Sequence, residues 1–175
     1  MSYSGFISDP EYTRRSQNET VTGQWLFKDI VTFEKVIQGT AISTYYGDIA
    51  EYYEHNEDEL LPKGTLVKFG GIKEITKTKP NDKEFFGIIS SKPGVVLNQQ
   101  NTSKHSPVAL CGKIPCRVNG KIRKFDKLTT SSINGVAKKK TLLDSLLGKP
   151  TIGTALESKS DNSEKLINIF VHAHH

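Results

Sequence analysis

The chain has 175 residues, a formal net charge of +5, a mean hydropathy of −0.44 and a hydrophobic share of 35%. That length allows one domain with an extension and a core of ordinary size. No apolar run approaches the roughly 20 residues of a membrane helix, the N-terminus lacks a basic-then-apolar leader pattern, and the low apolar share fits an assembly component better than a compact enzyme.

Residues 1–18 are polar and turn-rich, with Gly5, Pro10 and the pair Arg14 and Arg15, and they read as a docking arm. Residues 19–44 follow as a β-rich segment in which Val21, Trp25, Phe27, Ile30, Phe33 and Val36 stand among β-formers and glycines. So much aromatic surface in so short a segment predicts burial against a partner copy or the next domain. The third region, residues 45–175, is predicted to be a β-rich globular domain.

That domain opens on YYGDIAEYYEHNEDE, residues 45–59, with six carboxylates and no Lys or Arg. Asp48, Glu51 and Glu54 are spaced by three, which on a helical turn brings them together. Two neighbouring carboxylates can divide the work of acid and base. The simpler expectation is a short helix capped by Asp48, with Tyr45, Ile49, Tyr52 and Tyr53 on its packed side and His55 solvated in the turn beyond.

Strand, turn and strand then alternate. A turn at Pro62–Gly64 feeds a strand over 65–69, and EFFGIISSKPGVVLN reads as two strands broken at Lys92-Pro-Gly94. PVALCGKIPCRVNGKIRKFDKLTTS gives two or three strands with a tight hairpin turn at Asn119-Gly120. KKTLLDSLL, residues 139–147, is the one helical stretch, ahead of the stop signals Gly148 and Pro150. TIGTALES and KLINIFVHA supply two final strands. The fold expected is mainly β: a small barrel or sandwich preceded by an extended β-rich N-terminal arm.

Cys111 and Cys116 are five apart, so a strand puts them on opposite faces; both read as small buried hydrophobes with no disulfide between them. Between Lys113 and Lys140 there are nine Lys or Arg and one acid, Asp126. Only Phe125 is there to stack on a base, so this stretch reads as a solvated face with no nucleic-acid partner, free to attract the acidic segment within or between subunits. His172 and His174 are two apart, on one face of a strand, and in a threefold assembly they would offer six imidazoles to one metal; a frayed terminus or an expression remnant is the simpler reading. No cofactor is expected, and the dinucleotide, phosphate-loop, zincin and nucleophile-elbow motifs are absent.

The order of phrases, from TVTGQWLFKDIVTFEKVIQGTA through YGDIAEY, LPKGTLVKFGG, FFGIISSKPGVVLN and VALCGKIPCRVNGKIRKFDKLTTS to INIFV, resembles the C-terminal module of bacteriophage tail-fibre and appendage proteins over about residues 20–171. The module is similar to the autoproteolytic chaperone domain of pre-neck appendage proteins of glutamic-peptidase type. The resemblance implies a homotrimer whose interface includes Val21, Trp25, Phe27, Ile30, Phe33 and Val36. It also implies cleavage just ahead of the module, with Asp48 and Glu51 as the matching acids.

The expectation drawn from it is a non-enzymatic structural virion protein, a short trimeric tail-fibre, baseplate or neck component made in the host cytoplasm. Its arm would dock other phage structural proteins, its distal end would serve host attachment through a surface receptor, and no membrane partner is foreseen. A self-cleaving assembly chaperone is the first alternative, and a trimeric capsid decoration protein the second.

Overall fold

The computed structural model describes residues 28–29, 47–100 and 102–171. The arm, the six residues expected at a trimer interface and the pair His172 and His174 lie outside them. The chain divides into two compact units, Met1–Ala41 and Ile42–His175, and every strand and helix among the described residues belongs to the second.

The described residues of this unit form ten strands and one helix: β1 (Gly47–Glu54), β2 (Leu66–Phe69), β3 (Ile75–Lys77), β4 (Gly87–Ile89), β5 (Val95–Leu97), β6 (His105–Asn119), β7 (Lys127–Thr130), β8 (Ala137–Lys139), α1 (Leu142–Leu146), β9 (Gly153–Ala155) and β10 (Glu164–Val171). Five of them close a barrel in the order β6-β8-β7-β9-β10, with β10 returning to pair antiparallel with β6. The expectation of a small β-barrel is met.

The organising element is β6, whose 15 residues serve two sheets. Its second half, from Gly112 to Asn119, pairs with β10 inside the barrel. Its first half pairs with β1 on one side and β4 on the other, and β4 continues to β2 and β3. β5 runs parallel to β1 beyond the barrel. In its second half Ile114, Cys116 and Val118 are fully or almost fully buried and Lys113 faces out, while in its first half, paired on both sides, the consecutive Val108 and Ala109 are both buried.

The barrel core includes Leu66, Ile88, Ile114, Leu128, Ile152 and Ile169. Each such side chain stabilises the fold by about 1.5–3 kcal/mol when fully buried. A smaller cluster of Val67, Ile75, Ile89 and Val108 lies under Tyr53, Leu61 and Phe86. Tyr53 meets Phe86 edge-on at 5.0 Å between ring centroids.

Three local expectations are corrected. The segment that begins at Gly47 is a strand, not a helix: Ile49, Tyr52 and Tyr53 favour extended backbone, and β6 supplies an eight-residue antiparallel ladder that a short helix cannot match. Asn119-Gly120 does turn, with Gly120 at φ +86°, but it makes no hairpin. The chain instead forms an isolated bridge between Ile122 and Lys159, and β7 pairs with β8 and β9. Of the two cysteines, both free, Cys116 is buried as expected and Cys111 only half-buried.

The helix is where the sequence puts it. Thr141 caps it by accepting from the Asp144 backbone N–H at 3.2 Å, and Asp144 reciprocates by accepting from the Thr141 backbone N–H at 2.9 Å. Gly148 at φ +71° follows its end.

Candidate active site

β1 places Asp48 by simple alternation. Asp48 and Ala50 are 4% and 0% exposed, and Ile49 between them is 41% exposed. Two glycines let the backbone come close here. Gly47 abuts Lys113 of β6, and Gly112, at φ +107°, stands opposite Asp48. On the other side Gly94, in the turn before β5, donates its N–H to the Asp48 carbonyl at 2.9 Å. The backbone around Asp48 is therefore held from both sides.

Oδ2 of Asp48 is buried and has no hydrogen-bond partner among the described residues. Leaving a buried acceptor unsatisfied costs about 1–3 kcal/mol, and more for a charged one. Such a cost is characteristic of sites kept for chemistry.

Asp48 lines a cavity of about 260 Å3 whose walls come from five separate parts of the chain. Lys63 comes from the turn before β2, Ser90, Ser91 and Lys92 from the segment after β4, Lys113 and Pro115 from β6, and Asn168 from β10. The lining thus includes one aspartate, three lysines and two serines. Ser90 is itself buried at 6% exposure and donates its backbone N–H to the Pro107 carbonyl.

Glu51, the other expected acid, does not join Asp48. Three residues apart on a strand, the two carboxylates face opposite ways, and Glu51 is half-buried, with Oε2 accepting from the Tyr53 hydroxyl at 2.8 Å. Burial, then the hydrogen bond to Glu51 and the nearby negative charge of Glu51 and Glu74, push the Tyr53 hydroxyl up to about 12. Glu54, the third of the series, pairs with Lys73 at 2.9 Å. The expected cluster of three carboxylates is thus dispersed by the two-residue period of the strand.

His55 is also corrected, being 6% exposed instead of solvated. Its Nδ1 lies 2.9 Å from the Asn56 carbonyl and so carries the proton, and its Nε2 accepts from Ser106 Oγ at 2.9 Å. This fixes the end of β1 against β6. Among the described residues no group of three or more His, Cys, Asp or Glu side chains is placed to hold a metal.

Sequence reasoning singled out Asp48 but missed Lys63, Ser90, Ser91, Lys92, Lys113 and Asn168. The serines and Lys92 sit in the recognised turn SSKPG, which marked a loop and carried no sign of what it faces. Lys113 and Asn168 become neighbours of Asp48 only through pairing of β6 with β1 and β10.

A profile of the family described as Peptidase_G2, IMC autoproteolytic cleavage domain, matches residues 11–106, more than half of the chain. No curated protein matches. Among solved structures, the chain is similar to the pre-mature bacteriophage phi29 gene product 12, with a TM-score of 0.60 and 15% identity over 81% of this chain and 24% of that one. It is also similar to the C-terminal fragment of the same gene product, with a TM-score of 0.54 and 15% identity over 71% of this chain and 100% of the fragment. The chain thus spans about a quarter of the length of the pre-mature protein. The match to the family takes in Asp48, Lys63 and the Ser90–Lys92 wall of the cavity, and on its extent the chain belongs to the Peptidase_G2 family, the IMC autoproteolytic cleavage domain.

Proposed function

We propose that this chain is a self-cleaving assembly domain of a bacteriophage appendage, acting in a homotrimer, with Asp48 as the group that starts the cleavage. One observation carries the reading: a buried carboxylate with an unpartnered oxygen lines a cavity that also presents three lysines. The family to which the chain belongs supports cleavage over the expectation of an uncut structural tip. The similarity in fold to a bacteriophage gene product supports a virion setting.

The chemistry follows from the groups present. Asp48 takes a proton from a water as that water adds to the scissile carbonyl carbon, forming the new C–O bond. The oxyanion develops where Lys63, Lys92 and Lys113 can stabilise it, the C–N bond breaks, and the proton leaves with the amine. General-base assistance of this kind contributes about 10²–10⁴-fold. The scissile bond lies on the N-terminal side of β1, as the resemblance to the pre-neck appendage domain implies. The arm would hold the trimer to other phage proteins.

Intact mass of the purified full chain, followed over time, tests this. Two fragments that sum to the whole chain plus one water are expected from wild type, and a whole chain from Asp48→Asn. Glu51→Gln is expected to cut, because Glu51 faces away from the cavity. A wild-type chain that stays whole removes the proposal and leaves the structural role alone.

A further inference from the structure

The one helix among the described residues is inside out. Asp144 is the only residue of α1 that is buried, ion-paired to Lys138 at 2.9 Å and Lys149 at 3.1 Å. Leu142, Leu143, Leu146 and Leu147 are 78%, 62%, 77% and 50% exposed. A surface helix ordinarily turns its apolar stripe inward. Here the capping box and the buried charge pin the polar side down and hold four leucines out to water.

A second apolar group stands at the same end of the β7–β8 ladder. Phe125 is 68% exposed and held at φ +72°, a conformation unfavourable for a bulky residue, with its N–H donating to the Ala155 carbonyl at 2.8 Å. Asp126 next to it bonds Lys139 at the end of β8, and the Lys140 N–H donates to the Lys127 carbonyl, so the Phe125 turn and the start of α1 are neighbours. Between residues 121 and 149 there are eight Lys or Arg and two Asp. Both aspartates are consumed by lysines, and Lys121, Arg123, Lys124, Lys127 and Lys140 have no carboxylate partner among the described residues. This is a basic, protruding apolar knob.

The opposite chemistry occurs at the far end of β1. Leu60, Phe69 and Ile72 are 76%, 57% and 82% exposed. The turn between β2 and β3 is tied to β1 by the Glu74 N–H donating to the Glu54 carbonyl, and Glu59 reaches across to accept from Thr76 Oγ1 at 3.0 Å. Glu51 on β1, Asp58 and Glu59 in the segment after it and Glu74 in the β2–β3 turn form no ion pair among the described residues, while Lys73 beside Ile72 is paired to Glu54 and Lys77 on β3 lies next to Glu59. This is an acidic apolar patch.

We infer that copies of this chain associate head to tail, the basic knob of one copy (Phe125, Leu142, Leu146) seating on the acidic patch of the next (Leu60, Phe69, Ile72). A knob-to-knob contact would oppose like charges, so the complementary pairing is the favourable one. Two different faces on one chain make a heterologous interface, which closes into a ring when the rotation allows. The inference rests on the reading of this chain as a homo-oligomer and says which surfaces make it.

The test uses the full chain carrying Asp48→Asn, which is expected to stay whole. Light scattering at micromolar concentration is compared for this parent, a knob variant (Leu142→Asp with Leu146→Asp) and a patch variant (Leu60→Lys with Ile72→Lys), with circular dichroism to establish that each is folded. An oligomeric parent, two monomeric variants and a 1:1 mixture that forms a dimer and nothing larger are expected, since each variant keeps one good face. Variants that remain oligomeric overturn the pairing but leave a homo-oligomer standing. A mixture of folded variants that stays monomeric overturns it too. A monomeric parent overturns both, and its co-flotation with phosphatidylglycerol vesicles would assign the knob to an anionic membrane instead.

Discussion

A Cβ placed on Gly112 would stand 2.1 Å from the carbonyl oxygen of Gly47 and 2.8 Å from the Cα of Asp48. Bare backbone at this crossing is what lets β6 come close enough to hold Asp48 at the cavity. Gly112 also sits at φ +107°, which a side chain adopts only under strain. Gly112→Ala is therefore expected to lower unfolding free energy by about 2–4 kcal/mol in urea titration and to slow cleavage as β1 is displaced.

In the proposed cleavage, Asp48 pits stability against function. Its uncompensated Oδ2 is a cost in the folded state, so Asp48→Ala is expected to leave stability unchanged or raise it by about 1 kcal/mol while abolishing cleavage. A marked loss of stability in Asp48→Ala would mean that the carboxylate has a structural partner.

Asp144 carries a pH dependence of known sign. Burial pushes its carboxyl up, but hydrogen bonds and charges from Lys138, Thr141 and Lys149 outweigh this and hold it well below the usual carboxylate range. A folded pKa below the unfolded value of about 3.9 contributes stability that is present above that value and is lost as pH falls toward the folded one. Thermal unfolding is expected to drop steeply below about pH 4. Asp144→Asn should lose that dependence and cost about 3 kcal/mol at neutral pH, because Lys149 would be left buried without its charge partner.

Tyr53 gives the complementary behaviour in alkali. Its hydroxyl titrates at about 12, above the ordinary value of 10.0, so its contribution is fully present below pH 10.0 and is lost as pH rises through about 12. Absorbance titration should reveal a late tyrosine that disappears in Tyr53→Phe. The variant also loses the bond to Glu51, worth about 1 kcal/mol.

What the sequence reveals and what it hides divide along physical lines. Turns set by local chemistry were legible: Gly64 at φ +79°, Lys92-Pro-Gly94 ahead of β5, and the end of the helix at Gly148, whereas its Thr141 cap was not read. The run YYGDIAEYYE satisfies two periods, since carboxylates at every third position suit a helix and its tyrosines and isoleucine suit a strand, and only the ladder offered by β6 decides. β3 and β8, three residues each, are too short to leave a pattern. The buried ammonium groups of Lys149 and Lys159 were hidden because lysine reads as surface; each joins a nearby aspartate, Asp144 or Asp161, to a partner far along the chain, Asn81 for Lys149 and the Gly120 carbonyl for Lys159. The cavity was hidden for the same reason, since its walls meet only through long-range pairing.

That long-range pairing makes β6 and β10 a clock. Asn168 closes a wall of the cavity that Asp48 opens, and it leaves the ribosome about 120 residues after Asp48, on the order of ten seconds later at bacterial rates of synthesis. The barrel also needs β10 before β6 has both of its partners, and strands paired across so much chain join slowly. Asp48 therefore meets a finished cavity only once the last strand has been translated and docked, so any scission it drives comes after folding of the chain that carries it.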